Sequence, residues 1–142
     1  EDVLVVRVMN LVPRAEWRKR YRQINDFERM LTENGYLLLK FFLHISKEEQ
    51  AERLQSRLDS RSKQWKFSSG DLRMRERWDD FQQAYEDMLN ECSTPHAPWH
   101  LVPANRKWFR DYAVARTVRE CLESLDLKWP KPPENLAKIR IV

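Results

Sequence analysis

The chain is poor in the residues that most active-site motifs are built from. Its 142 residues include only two glycines, Gly35 and Gly70. A loop that cradles phosphate with backbone N–H groups needs several glycines close together, so no such loop exists in these residues. Two cysteines, Cys92 and Cys121, make no disulfide framework. Both fall at apolar positions of expected helices and read as reduced core residues of a cytosolic protein. The three histidines, His44, His96 and His100, show no metal-ligand spacing, and His44 reads as a core histidine on a strand. No Ser/His/Asp set can be nominated, and neither cysteine has a cationic neighbour to favour a thiolate. Long apolar runs are missing too. The longest is broken by Lys40 and His44, so no segment is expected to span a bilayer, and the chain reads without a signal peptide.

What is present is aromatic and cationic. Hydrophobic residues make up 42% and charged residues 34%, with six tryptophans and a formal net charge of +4. This composition suits one globular domain and is too apolar for disorder. The positive surface favours anionic partners, which charge alone leaves open among nucleic acid, nucleotides, polyphosphate and acidic membranes.

Periodicity orders the chain. Residues 2–12 form a short apolar run, helix or strand, that reads as an element already under way at Glu1; Pro13 ends it. Apolar positions Trp17, Tyr21, Ile24, Phe27 and Leu31 predict a helix over residues 14–34, closed by Gly35. The near-continuous apolar run 36–46 predicts a buried parallel strand. Ser46 and Glu49 form a capping box for a helix to about Leu58. After a basic junction, a long helix is expected from Asp71, capped by Ser68 or Ser69, with Met74, Trp78, Phe81, Tyr85, Met88 and Cys92 on one face. A short strand follows over residues 99–104. Asn105 is the expected cap of a last helix to Asp126, with Trp108, Tyr112, Ala115, Val118, Leu122 and Leu125 on one face. Residues 127–142 are a Pro-rich tail. Two strands, each followed by a helix, predict a helix-rich α/β fold with a parallel sheet, the second half of a doubly wound domain.

Chemistry concentrates at the junction. From Arg53 to Arg77 there are eight Lys or Arg against three acids, Asp59, Asp71 and Glu76. A cationic loop after a strand and its helix is suited to clamp phosphate oxygens, because phosphoryl transfer is mostly positioning and charge neutralisation. A solvated helix end is the plainer explanation of the same charges. A second basic cluster, Arg106, Lys107 and Arg110, opens the last helix. Adjacent Asp79 and Asp80 point about 100° apart on a helix and read as surface salt-bridge partners, not a metal pair.

The motifs "LLKFFLHISKEEQAERLQSRLD", "WKFSSGDL", "RWDDFQQAYEDML", "TPHAPWHLVPANRKW" and "AVARTV" together resemble the polyphosphate kinase 2 family, in order and spacing, up to about Asp126. The resemblance implies a P-loop kinase-like fold similar to thymidylate kinases, helices on both faces of the sheet, and a helical lid at about residues 53–77. It implies phosphoryl transfer between inorganic polyphosphate and a nucleotide of AMP, ADP or GDP type, in a cytoplasmic homo-oligomer. Magnesium would be held mainly by residues preceding this chain, which looks like the C-terminal, lid-bearing part, inactive alone. Arg57, Trp65 and Lys66 match the lid pattern, with Arg57 and Lys66 as catalytic residues and Trp65 as an anchor. Arg7, Arg61, Lys63, Arg106 and Lys107 are the implied phosphate-binding residues. Asn105 stands where the family usually has Asp. The alternative is a non-catalytic basic domain that binds nucleic acid or other polyanions.

Overall fold

The structure, a computed structural model, describes residues 2–132 and residue 140. The undecided first segment forms a one-turn helix, α1 (Val5–Val8). The charged amphipathic stretch forms α2 (Arg14–Glu33). It ends as expected at Gly35, whose φ of 82° only glycine adopts without strain, and the Tyr36 N–H turns back to Leu31 O at 3.1 Å.

The first strand is shorter and less buried than its apolar run predicts. β1 covers Lys40–His44, while Tyr36 and Leu37 lie exposed ahead of it and Leu43 is exposed within it. It pairs in parallel with β2 (Trp99–Pro103), Lys40 opposite Trp99 and His44 opposite Pro103. The reason for the exposure is width. Parallel strands are apolar on both faces because neighbouring strands and covering helices bury them. The sheet of the described residues has two strands, so each lacks a neighbour on one edge.

α3 (Lys47–Asp59) begins at Ser46, whose hydroxyl accepts from the Glu49 N–H at 3.2 Å. Only half of the expected capping box forms. Glu49 turns to Arg53 at 2.7 Å, and Asn105 Oδ1 takes its place as acceptor for the Ser46 N–H at 2.9 Å. A single 3-10 turn, Gln64–Lys66, leads to α4 (Ser69–Glu76), capped by Ser68. The expected single helix is broken at Arg77, which closes α4 and opens α5 (Trp78–Cys92). Its guanidinium pairs with Asp80 in the first turn of α5, so Asp80 has the structural role expected of it.

α2 and α5 enclose the main core, where Val3, Tyr21, Met88 and Cys92 are buried and Phe42 and Trp99 of the sheet pack against them. Full burial of side chains such as Val3 and Met88 contributes about 1.5–3 kcal/mol each. At the edge of this core Lys40 Nζ binds Glu28 at 2.7 Å and the Cys92 carbonyl at 2.7 Å, which ties the start of β1 to α2 and to the end of α5. Burial pushes the Cys92 thiol up to about 11, so it is the inert core residue expected. Cys121 is only half-buried.

α6 (Lys107–Ser124) packs on β2 and has no fully buried residue. Arg106, not Asn105, is its N-terminal boundary, without a side-chain cap. The expected core stripe is largely open: Trp108 is 65% exposed, and Tyr112, Leu122 and Leu125 are exposed too. The helix stops before Asp126, which takes a left-handed φ of 43°. Residues 127–132 are exposed; the rest of the expected tail, except residue 140, lies outside the described residues. No helix among the described residues is long and apolar enough to cross a membrane.

Candidate functional site

α3 and α4 form an antiparallel helical hairpin at the carboxyl ends of both strands. Its root is polar. The Arg53 guanidinium donates to the Ala104 carbonyl, just past β2, at 2.6 Å and to Asn105 O at 3.3 Å. Asn105 in turn holds Ser46 just past β1, and the Ala104 N–H donates to His44 O at 2.7 Å. Arg75, near the end of α4, reaches back to Lys47 O at 2.6 Å and Gln50 Oε1 at 3.0 Å. Higher on the hairpin Arg57 meets Asp71 at 3.4 Å. Ligands of open α/β sheets bind beyond the carboxyl ends of the strands, and the hairpin overhangs that side.

A cavity of about 460 Å³ opens between α1, α3, α4 and α5. Gln50, Arg53, Arg57 and Asp71 give it a polar rim, and Leu54 and Phe81 are among its apolar lining. Beyond the cavity the chain projects residues 60–68. Arg61, Lys63 and Lys66 are exposed there, and none makes an ion pair among the described residues. Trp65 does not anchor this tip: it is 78% exposed, with Lys66 Nζ 5.1 Å from its ring centre.

The expected residues therefore divide into three groups. Arg57, Arg61, Lys63 and Lys66 share the hairpin. Arg106 and Lys107 stand exposed where α6 begins; Arg106 borders a separate cavity with His44, Ser46 and Trp108. Arg7 is elsewhere. It binds Asp87 at 2.6 Å and Tyr21 Oη at 3.4 Å and lies 4.8 Å from the Trp17 ring centre. Burial acts to lower the Arg7 pKa, but Asp87 and Tyr21 outweigh it and hold it above its ordinary value. His44 is not a core histidine; it is exposed at the end of β1, 3.4 Å from Gln82 Oε1.

Sequence reasoning missed Arg75 and gave no part to Asp71. Asp71 had a local signal, since it stands three residues after the cap Ser68. Arg75 had none, because its partners lie 25 and 28 residues away. Among the described residues no group of three His, Cys, Asp or Glu could hold a metal ion. The magnesium implied by the resemblance does not fit these residues, and no step is derived through it.

The family model described as Polyphosphate kinase 2 (PPK2) matches residues 1–130. An AMP/ADP-polyphosphate phosphotransferase of Meiothermus ruber is 54% identical over 141 residues, covering 99% of this chain and 53% of that protein. An ADP-polyphosphate phosphotransferase of Rhodopseudomonas palustris is 42% identical over 143 residues, covering 92% of this chain and 50% of that one. The solved polyphosphate kinase 2 of Arthrobacter aurescens TC1 matches with a TM-score of 0.90 at 48% identity, over 96% of this chain and 48% of its own. The chain thus spans about half the length of these relatives. With its helical hairpin, its parallel strands and a family match over residues 1–130, the chain belongs to the polyphosphate kinase 2 family.

Proposed function

We propose that the chain is the lid-bearing part of a phosphotransferase that moves a phosphoryl group between inorganic polyphosphate and a nucleoside mono- or diphosphate. One observation carries the reading. A helical hairpin rooted at the carboxyl ends of two parallel strands holds out Arg61, Lys63 and Lys66 with no acidic partner among the described residues. The names of the relatives, AMP/ADP- and ADP-polyphosphate phosphotransferases, support the substrate classes.

In this reading a terminal phosphate oxygen of the nucleotide attacks the terminal phosphorus of polyphosphate. A bridging P–O bond breaks, and the shortened polyphosphate leaves with the negative charge. The attacking oxygen is already ionised, so no strong general base is required. Arg57 and Lys66 contact the transferring phosphoryl and spread its developing charge, while Arg61, Lys63, Arg106 and Lys107 hold flanking phosphates. Arg7 would have to leave Asp87 to join them. Magnesium stays in the reading as a cofactor bound by other parts of the kinase, and the chain alone is inactive. A cytoplasmic homo-oligomer is part of the same reading; the free thiols and the open faces of Trp108, Tyr112 and Leu122 support it.

The test is a chimera in which this chain replaces the matching half of the Meiothermus ruber relative. Lys66→Ala and Arg57→Ala are expected to cut turnover of ADP with polyphosphate far more than they weaken polyphosphate binding. A small, uniform loss of affinity with unchanged turnover would instead mark a basic binding module.

A further inference from the structure

Of the three acids between Arg53 and Arg77, Asp71 is the one whose carboxylate meets a lid cation among the described residues; Asp59 instead accepts from Gln55 at 2.8 Å. The Arg57–Asp71 contact is loose. It is a single approach of 3.4 Å, with the two side chains 39% and 37% exposed. The structural pair Lys40–Glu28, by contrast, sits at 2.7 Å with both side chains 12% exposed.

The placement is nonetheless specific. Arg57 lies in the last turn of α3 and Asp71 in the first turn of α4, the ends at which each charge is favoured by its helix dipole. The pair spans the base of the excursion that carries Arg61, Lys63 and Lys66. It also borders the 460 Å³ cavity. A phosphate brings more charge and more acceptor oxygens than one carboxylate oxygen at 3.4 Å, and displaces it from a guanidinium.

We propose that Asp71 is a positioning residue that occupies Arg57 in the phosphate-free chain and is displaced by substrate phosphate. Phosphate binding is then coupled to release of the end of α3 from the start of α4, where the excursion begins, while Arg53 and Arg75 keep the root in place. The inference rests on the polyphosphate-binding reading above and adds the residue that sets the state of Arg57 before substrate arrives.

The experiment is titration of the purified chain with inorganic polyphosphate of defined length at low salt. Asp71→Asn is expected to bind about two- to five-fold tighter, the scale of one competing half-exposed ion pair. Asp71→Glu keeps the carboxylate and returns affinity toward wild type. In an Arg57→Ala background, Asp71→Asn has no further effect. Asp59→Asn, which changes net charge equally, shifts affinity less. Weaker binding by Asp71→Asn would overturn the proposal and show a plain structural contact. So would a gain that persists without Arg57 or is matched by Asp59→Asn. Binding by wild type with no Asp71 effect removes this inference alone; no binding by wild type removes it together with the functional reading.

Discussion

Two arginine–carboxylate pairs hold this molecule in different ways. Arg7–Asp87 joins α1 to α5 at 2.6 Å, with Tyr21 Oη and the Trp17 ring closing around the guanidinium. Arg57–Asp71 joins α3 to α4 at 3.4 Å; both pairs border cavities, but among the described residues no aromatic ring covers the Arg57 guanidinium. Both pair an aspartate with an arginine that the resemblance assigns to the site, Arg7 as phosphate-binding and Arg57 as catalytic. Charge content cannot separate them. Enclosure does: the Arg7 side chain is 19% exposed and lies under the Trp17 ring, whereas Arg57 is 39% exposed on a longer contact and exchanges partners more readily.

The largest effect on stability is expected from the enclosed pair. Arg7→Ala removes the ion pair, the Tyr21 contact and the stacking on Trp17, and should destabilise the chain by about 2 kcal/mol in urea unfolding. This is below the range for fully buried pairs because Asp87 remains partly solvated. A loss of only a few tenths would mean that Arg7 is free to serve a ligand.

Acid should act on the same pair. Burial tends to raise the Asp87 pKa, but the hydrogen bonds from Arg7 and Gln83 prevail and leave it below its ordinary 3.8. A carboxyl depressed in the folded state stabilises fully above its unfolded pKa, and that contribution fades as pH falls through the folded value. Stability from Asp87 should therefore be level from neutral pH down to about 5 and decline below about 4. Asp87→Asn should be less stable at pH 7 and lack this part of the acid decline, as urea midpoints against pH would show.

The smallest effect belongs to the open pair. Arg57→Ala should change stability by at most about 0.5 kcal/mol. A larger loss would make Arg57 a structural residue like Arg7 and weaken its nomination for phosphate.

Local patterns were the legible part of the fold. The cap at Ser46, the glycine stop of α2, the face of α5 and the strand–helix order each depend on residues within a few positions, and each formed. Distant geometry was not legible. Asn105 has the chemistry of a helix cap, but it serves Ser46, 59 residues away, because the two strand ends are neighbours. Arg77 breaks a helix whose apolar period continues through it. The exposure of Leu43, Trp108 and His44 was hidden for another reason. Periodicity tells which side of an element is apolar and cannot tell what lies against it. The basic junction was visible as charge; its division into a root held by Arg53 and Arg75 and a free tip required the structure.

The central claim is that the free tip of the hairpin, and not the enclosed arginine of α1, carries polyphosphate. The most direct measurement is the affinity of the chain for inorganic polyphosphate across a salt series, comparing wild type with the combined Arg61→Ala, Lys63→Ala and Lys66→Ala variant. The account predicts binding at least about tenfold weaker at low salt and a shallower salt dependence, since fewer phosphates are neutralised. Unchanged affinity and an unchanged salt slope, in a variant that unfolds like wild type, would contradict it.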